Sequence, residues 1–344
     1  MSPADARAER IAALTETRVM RPEAVAEAAE RRTRQVSLVG ESGRLMLLAA
    51  DHPARGALAA GGDPLAMGDR GELLDRLCVA LERPGVDGVM GTADIIEDLL
   101  LLGVLEGKVV IGSMNRGGLA GSAFEIDDRF TAYGADAIAA SGLDGGKMLV
   151  RVDDDDPATV RTLEACARAV SELAGHGLMA MVEPFISRRV EGRVRNDLSP
   201  EAMTRAVAIA SGLGTTSAYT WLKVPVVADM ERVMAASTLP ALLLGGEVAA
   251  DQGAAREGWR RALRSPTVRG LVVGRSLLYP PDGDVAAPST PRWNCCERGG
   301  RAVAGARVAH LRRPGAHLDP EEPGRAAGRF AAALPWARGV EERS

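Results

Sequence analysis

The sequence predicts an α/β fold, a single closed (β/α)8 barrel of the TIM type. Three observations carry this. Eight short apolar runs alternate with longer amphipathic stretches, which is the pattern of βαβ units and a parallel sheet. The runs are built from Val, Leu, Ile, Ala and Met, with aromatics at only 3%, as strands buried on both faces require. The residues just after the runs are polar or glycine, and that end of a barrel carries its chemistry.

The expected strands are Leu45–Ala50, Gly88–Met90, Val109–Gly112, Met148–Val152, Leu178–Val182, Thr220–Val224, Ala241–Leu244 and Gly270–Val273. The spacing predicts helices near Arg70–Glu82, Ile95–Leu102, Phe130–Ala140, Pro157–Ala174, Glu201–Ala210, Met230–Ala236 and Ala254–Leu263. Eight such units match a closed barrel better than an open doubly wound sheet. Residues 1–40 read as a charged, alanine-rich leader, helical from Pro22 to about Arg34, that caps one end of the barrel or lies on its surface. The barrel is expected over residues 41–287.

The net charge of −4 gives no pointer to nucleic acid. No apolar run approaches the roughly 20 residues of a membrane span. Asp5, Arg7, Glu9 and Arg10 break up any signal-peptide core, so the cytoplasm is the expected location. Cys78 and Cys166 fall in helical patterns, and the adjacent Cys295 and Cys296 form no zinc spacing, so all four read as incidental thiols. The run Asp153–Asp156 reads as a solvated loop and helix N-cap rather than a metal site.

Lysine is the informative residue. Of 42 Lys and Arg only Lys108, Lys147 and Lys223 are lysine, so arginine fills nearly every generic surface role. A position that keeps lysine points to an amine that can lose its proton, although a GC-rich genome suppresses lysine too. Lys223 ends the sixth expected strand, in Leu222-Lys223-Val224-Pro225. A lysine inside such a strand either snorkels or is held in the barrel mouth. There, burial and a second cation lower its pKa, and the free amine can attack a ketone to form an imine. A purely structural ion pair is the competing reading. Lys147 stands at the start of the fourth strand or just within it. If it faces inward it can depress the pKa of Lys223 or bind a substrate oxygen; otherwise it is a surface lysine. Lys108 precedes its strand and reads as structural. Asp51 and Glu183 each follow an apolar run directly, where a carboxylate can carry the proton of a substrate hydroxyl or simply neutralise a lysine. His52 is given no catalytic step. The last two strands end in Gly245-Gly246 and Gly274-Arg275, and loops at those places commonly cradle a phosphate. Arg275 adds a charged fork for its oxygens.

Leu48-Ala49-Ala50-Asp51-His52-Pro53, Leu222-Lys223-Val224-Pro225, Leu244-Gly245-Gly246 and Val273-Gly274-Arg275-Ser276 together resemble the class I aldolases of the DhnA-type fructose-bisphosphate, tagatose-bisphosphate and deoxyribose-phosphate aldolase group. The similarity runs from about residue 40 to 286 and looks closest to an actinobacterial branch associated with myo-inositol catabolism. The resemblance implies a (β/α)8 fold, no metal, no cofactor, and an imine on Lys223. It also implies a phosphate site at Gly245, Gly246, Gly274 and Arg275. Lys147 resembles the fourth-strand lysine of tagatose-type members, Asp51 the first-strand aspartate and Glu183 the fifth-strand acid. His52-Pro53 departs from the common His-Gly, and the loop Met114-Asn115-Arg116-Gly117-Gly118 is distinctive; both bear on substrate identity. The expected partner is a phosphorylated ketose or keto sugar acid, and 2-deoxy-5-keto-D-gluconate 6-phosphate is the concrete candidate. No nucleic-acid or membrane partner is expected, and a homo-oligomer is.

After Ala287 the chain changes character. Pro288 to Glu297 shows no helical periodicity where a barrel needs its last helix. One set of codons for this stretch, read in a neighbouring frame, gives Val-Asp-Thr-Ala-Val-Glu-Leu-Leu and a stop. Residues 288–344 are therefore expected to be an irregular, frameshift-derived tail. Two other functions stay open: a metal-dependent barrel lyase or isomerase using Asp51, His52 and Glu183, and a phosphosugar-binding barrel without turnover.

Overall fold

The computed structural model describes residues 2–285 apart from 36, 41, 247–251 and 282. Nine strands follow in chain order: β1 Leu45–Ala49, β2 Gly88–Gly91, β3 Val109–Ser113, β4 Gly145–Val152, β5 Met179–Val190, β6 Arg193–Asp197, β7 Thr220–Val224, β8 Ala241–Leu244 and β9 Val268–Val273. Eight of them pair in parallel around a ring. β1 pairs with both β2 and β9, and a β4–β5 ladder closes the circle; β6 adds to β5 as an antiparallel hairpin. The fold is the (β/α)8 barrel.

Eleven helices are present among the described residues. Three precede the barrel: α1 Pro3–Ala12, α2 Leu14–Met20 and α3 Ala24–Arg31. Seven connect or follow its strands: α4 Arg70–Leu81, α5 Ala93–Leu101, α6 Ala135–Ala140, α7 Ala158–Gly175, α8 Pro200–Ser211, α9 Met230–Met234 and α10 Gln252–Ala262. α11 Arg275–Leu278 is a single turn after β9. None of the helices among the described residues is long and apolar enough to cross a membrane.

Strand alternation sends side chains to two separate apolar cores. Leu45, Leu47, Val109, Met179, Met181 and Leu242 belong to the cluster inside the barrel. Their neighbours Met46, Leu48, Val110, Ala180 and Leu243 belong to the larger layer between barrel and helices. The unbranched methionines fill the interior in a chain with few aromatics. The same alternation continued one step further puts Asp51, Ser113, Lys147, Glu183 and Lys223 on the inward side of strand ends, so the apolar plug is capped by charge.

The leader is more structured than the single helix expected, and Arg32 ties it to the barrel. The Arg32 side chain, 1% exposed, donates to the carbonyls of Lys108 (2.8 Å) and Gly142 (2.7 Å). Arg34 donates to Leu143 O, and Asp144 faces both guanidiniums. Lys108 is structural, its Nζ donating to Val86 O at 2.7 Å.

Four local expectations are corrected. β4 begins at Gly145 rather than Met148, so Lys147 lies well inside a strand. The two glycines are there because a Cβ would sit 2.4 Å from Met179 O at position 145 and 2.4 Å from Met114 Sδ at position 146. β5 runs on to Val190, which places Glu183 and Pro184 within the strand, opposite Leu149 and Val150. The helix expected from Phe130 starts only at Ala135, because the amides of Ala132 and Tyr133 are spent on the carbonyls of Met114 and Ser113 at the end of β3. Asp153 is buried rather than solvated, its Oδ1 accepting from Asp155 N. The expectation for residues 288–344 lies outside the described residues.

Candidate active site

The mouth at the C-terminal ends of the strands holds a row of alternating charges. Lys223, 4% exposed, donates to Glu183 Oε1 at 3.0 Å. The other oxygen of the same carboxylate stands 2.5 Å from Lys147 Nζ. Lys147 also donates to Asp51 Oδ2 at 3.2 Å. That oxygen accepts from Ser113 Oγ at 2.9 Å and lies 2.9 Å from Arg116 Nη2. Three strands of the ring and two strand-end turns thus supply one chain of contacts, Lys223–Glu183–Lys147–Asp51–Arg116.

Burial raises the cost of every charge in this row, and the partners decide the outcome. For Glu183 burial pushes upward, but Lys147 and Lys223 outweigh it and bring its pKa down to about 2. For Asp51 burial is again opposed, first by Arg116 and then by Lys147, and the carboxyl is held well below its usual range. Lys147 is the group brought near neutrality. Burial and the Arg116 charge exceed the pull of Asp51 and Glu183, and its pKa falls to about 8. Burial, only partly offset by Asp51, lowers His52 to about 3, so its imidazole is neutral. Among the described residues its Nδ1 has no hydrogen-bond partner; it stands 3.9 Å from Asp51 Oδ1.

All eight residues expected at the site line a single cavity of about 920 Å³: Asp51, Lys147, Glu183, Lys223, Gly245, Gly246, Gly274 and Arg275. A Cβ at position 245 would meet Val273 Cγ1 at 2.4 Å, and one at 274 would meet Ala49 O at 2.4 Å. Both turns therefore press against the neighbouring strand ends, as backbone that is to approach a ligand must. Glu247 and the rest of the turn after β8 lie outside the described residues. Among the described residues no group of three or more His, Cys, Asp or Glu is placed to hold a metal ion.

Sequence reasoning missed Ser113, Arg116, Arg55 and Arg151, all close to the mouth. The unusual run after the third strand was the available signal for the first two steps, Ser113 and Arg116. Arg55 and Arg151 gave none. Arg55 sits in the turn of 3-10 helix Pro53–Arg55 after β1. It donates to Gly118 O and Asn115 O and pairs closely with Asp128. Asn115 in turn exchanges two hydrogen bonds with the backbone of Leu149, which pins the loop after β3 onto β4.

Residues 43–290 match the model of the Cgl0159-like family. The chain belongs to that family. The crystal structure of Cgl0159 from Corynebacterium glutamicum (Brevibacterium flavum) is 52% identical, covers 87% of this chain and 97% of its own, and superimposes with a TM-score of 0.80. An archaeal fructose 1,6-bisphosphate aldolase is 18% identical over 76% of this chain and 94% of its own, with a TM-score of 0.55. Another archaeal fructose-1,6-bisphosphate aldolase structure, with the catalytic Lys covalently bound to the carbinolamine intermediate of its substrate, is 17% identical over 79% and 96%, with a TM-score of 0.53. At those identities the two aldolases share the barrel fold with this Cgl0159-like chain. No match was found among curated proteins.

Proposed function

We propose that this chain is a class I aldolase that cleaves a phosphorylated ketose or keto sugar acid through an imine on Lys223. The observation that carries the reading is Glu183 bridging two buried amines, at 3.0 Å from Lys223 and 2.5 Å from Lys147, in a cavity that also contains the two glycine turns. A lysine kept only for charge balance would need no second amine on the same carboxylate.

The chemistry follows from the arrangement. Lys147, near its pKa at neutral pH, can accept the proton that Lys223 gives up through Glu183. The freed Lys223 amine attacks the substrate ketone; Lys147 returns its proton through Glu183 to the carbinolamine oxygen, and loss of water gives the protonated imine. Glu183 takes the proton of the hydroxyl two carbons from the imine carbon. The bond between that hydroxyl-bearing carbon and the carbon next to the imine breaks, an aldehyde leaves, and the bond's electron pair forms the C=C of an enamine as the imine π pair moves to nitrogen. Protonation and addition of water return the ketone product and the free lysine. Asp51 remains ionised and, held by Ser113, Arg116 and Lys147, keeps Lys147 in place. Gly245, Gly246, Gly274 and Arg275 bind the phosphate, which sets the ketone over Lys223.

The residues that resemble the DhnA-type aldolases support this reading, as does the barrel shared with Schiff-base aldolases. 2-Deoxy-5-keto-D-gluconate 6-phosphate is the concrete substrate proposed, with dihydroxyacetone phosphate and malonate semialdehyde as products. The test is borohydride reduction in the presence of dihydroxyacetone phosphate, followed by peptide mapping. A stable adduct on Lys223 is expected, and chelator leaves it unaffected. No adduct, or one on Lys147 alone, overturns the proposal.

A further inference from the structure

One group lining the cavity takes no part in the imine chemistry. His52 faces the cavity, and 24% of its side chain is exposed. Of its two ring nitrogens Nδ1 is the buried one, so the edge that opens to the cavity is the one carrying Nε2. The ring makes no hydrogen bond among the described residues.

Its place in the ring of strands is informative. β8, β9 and β1 are neighbours in that order. Gly245-Gly246 follows β8, Gly274-Arg275 follows β9, and His52 stands in the turn after β1. A Cβ on Gly274 would come within 3.1 Å of His52 Cε1, so the imidazole lies against the bare face of the glycine turn. The His52 backbone is fixed as well. Its carbonyl accepts from Arg55 N at 3.0 Å and from Ala57 N at 3.3 Å. The ring is therefore in position before anything binds, and a ligand there does not have to order it.

The charges around the ring favour an anion at its open edge. Asp51 is the one carboxylate that acts on it appreciably, against three cations, Arg275, Lys223 and Lys147. Such an excess draws negative charge into the mouth. A fourth cation would add repulsion among the four, whereas a neutral imidazole contributes a donor without it. Nδ1 is 3.9 Å from Asp51 Oδ1, too far for a hydrogen bond. Nothing obliges the ring hydrogen to sit on Nδ1, and it is free to sit on Nε2.

Resting on the aldolase reading, we infer that His52 is a phosphate-binding residue, its Nε2–H donating to a phosphate oxygen seated over Gly274 and closing the glycine cradle on its β1 side. The contact exists only when the ketone carries a phosphate. His52 therefore sets the preference for a phosphorylated ketone over a free one and has no role in breaking the C–C bond.

Two substitutions divide the ring. In H52Q the amide N–H can reach the place of Nε2; in H52N it reaches only the place of Nδ1. Borohydride trapping on the full chain is measured with dihydroxyacetone phosphate and with dihydroxyacetone, and selectivity is the ratio of the two second-order trapping rates. H52N is expected to lower that ratio about 10-fold or more, and H52Q to stay within about 3-fold of the parent chain, as loss and retention of one hydrogen bond to a charged group require. Calorimetric titration with inorganic phosphate should show an affinity loss of the same size in H52N. An unaltered ratio in H52N, an equal loss for both ketones, or an equal fall in H52N and H52Q overturns the inference. The second outcome would mean that His52 merely props Asp51, and the third that it only fills space. Should H52N fail to fold, H52F keeps the bulk of the ring without its N–H, and an unaltered ratio there overturns the inference equally. The titration does not depend on an imine. No adduct with either ketone in the parent chain sinks the aldolase reading, whereas equal phosphate affinity in the parent chain and H52N, or none in the parent chain, sinks the role of His52.

Discussion

Replacing Glu183 by glutamine removes the one negative charge that lies between Lys147 and Lys223 while keeping the side chain's shape. The magnitude can be worked from the carboxyl's own titration. Its pKa falls from 4.5 to about 2 in the folded chain, and each unit is worth about 1.4 kcal/mol, so its ionised form adds roughly 3 kcal/mol to stability. The group is 8% exposed, which leaves little solvent screening. A folded pKa below the unfolded one means the contribution is complete above the unfolded value of 4.5 and is lost as pH falls through about 2. At about pH 7 it is therefore fully present, and E183Q should lose roughly 3–5 kcal/mol, the cost of orphaning a buried charge. Alkali should relieve the variant. Lys147, deprived of an acid that held its pKa up, titrates below about 8 and is neutral at about pH 9.5, so the deficit against the parent protein should shrink by more than half. Urea denaturation at the two pH values measures both quantities. A deficit under about 1 kcal/mol at neutral pH, or one of equal size at both, would refute the bridging role.

Activity should follow the same titration from the other side. With Lys147 lowered to about 8, kcat/KM for cleavage is expected to rise with pH through an apparent pKa near 8, and in K147M a pH–rate profile should lack that limb. Replacing Gly274 by alanine forces a Cβ to 2.4 Å from Ala49 O. Initial-rate kinetics should show KM for the phosphorylated substrate up by about 10-fold or more, with kcat less affected. R32A removes a guanidinium that is 1% exposed and holds two carbonyls beneath the barrel. Thermal and urea unfolding should show a loss of about 3 kcal/mol, while kcat stays within about 2-fold because the mouth is at the opposite end.

How much of this could be read from the chain depends on how local each signal is. β1, β3 and β8 are apolar runs that stop at a polar or glycine residue, so both the strand and its mouth-side end are visible. Asp51 owes its legibility to that stop, and Lys223 to being a lysine, in a chain with three, within the strand Thr220–Val224. β5 failed the same test because beyond Val182 the residues Glu-Pro-Phe-Ile-Ser-Arg-Arg-Val are neither a continuous apolar run nor an alternation, and Glu183-Pro184 looks like a turn. Its true turn, Glu191-Gly192, has both residues at positive φ (51° and 76°) and pairs Val190 with Arg193. An Asn or Asp before the glycine would have announced a two-residue hairpin; a glutamate hides it. The alternation Lys223–Glu183–Lys147–Asp51 is invisible for a different reason. It is created by the register of strands that are distant in sequence, and no spacing along the chain encodes which carboxylate oxygen meets which amine. Arg55 and Arg151 are lost among many arginines, since nothing local separates a buried guanidinium from one on the surface.

The burial of the chain's lysines has a practical consequence. Lys147 and Lys223 are 2% and 4% exposed and Lys108 is half-buried, so among lysine side chains an acylating ester finds no freely accessible target. Its rate of reaction at Lys223 then becomes a gauge of entry to the mouth. Any small molecule that seats itself there should slow the modification, and mass spectrometry of one peptide would rank candidate ligands without a turnover assay.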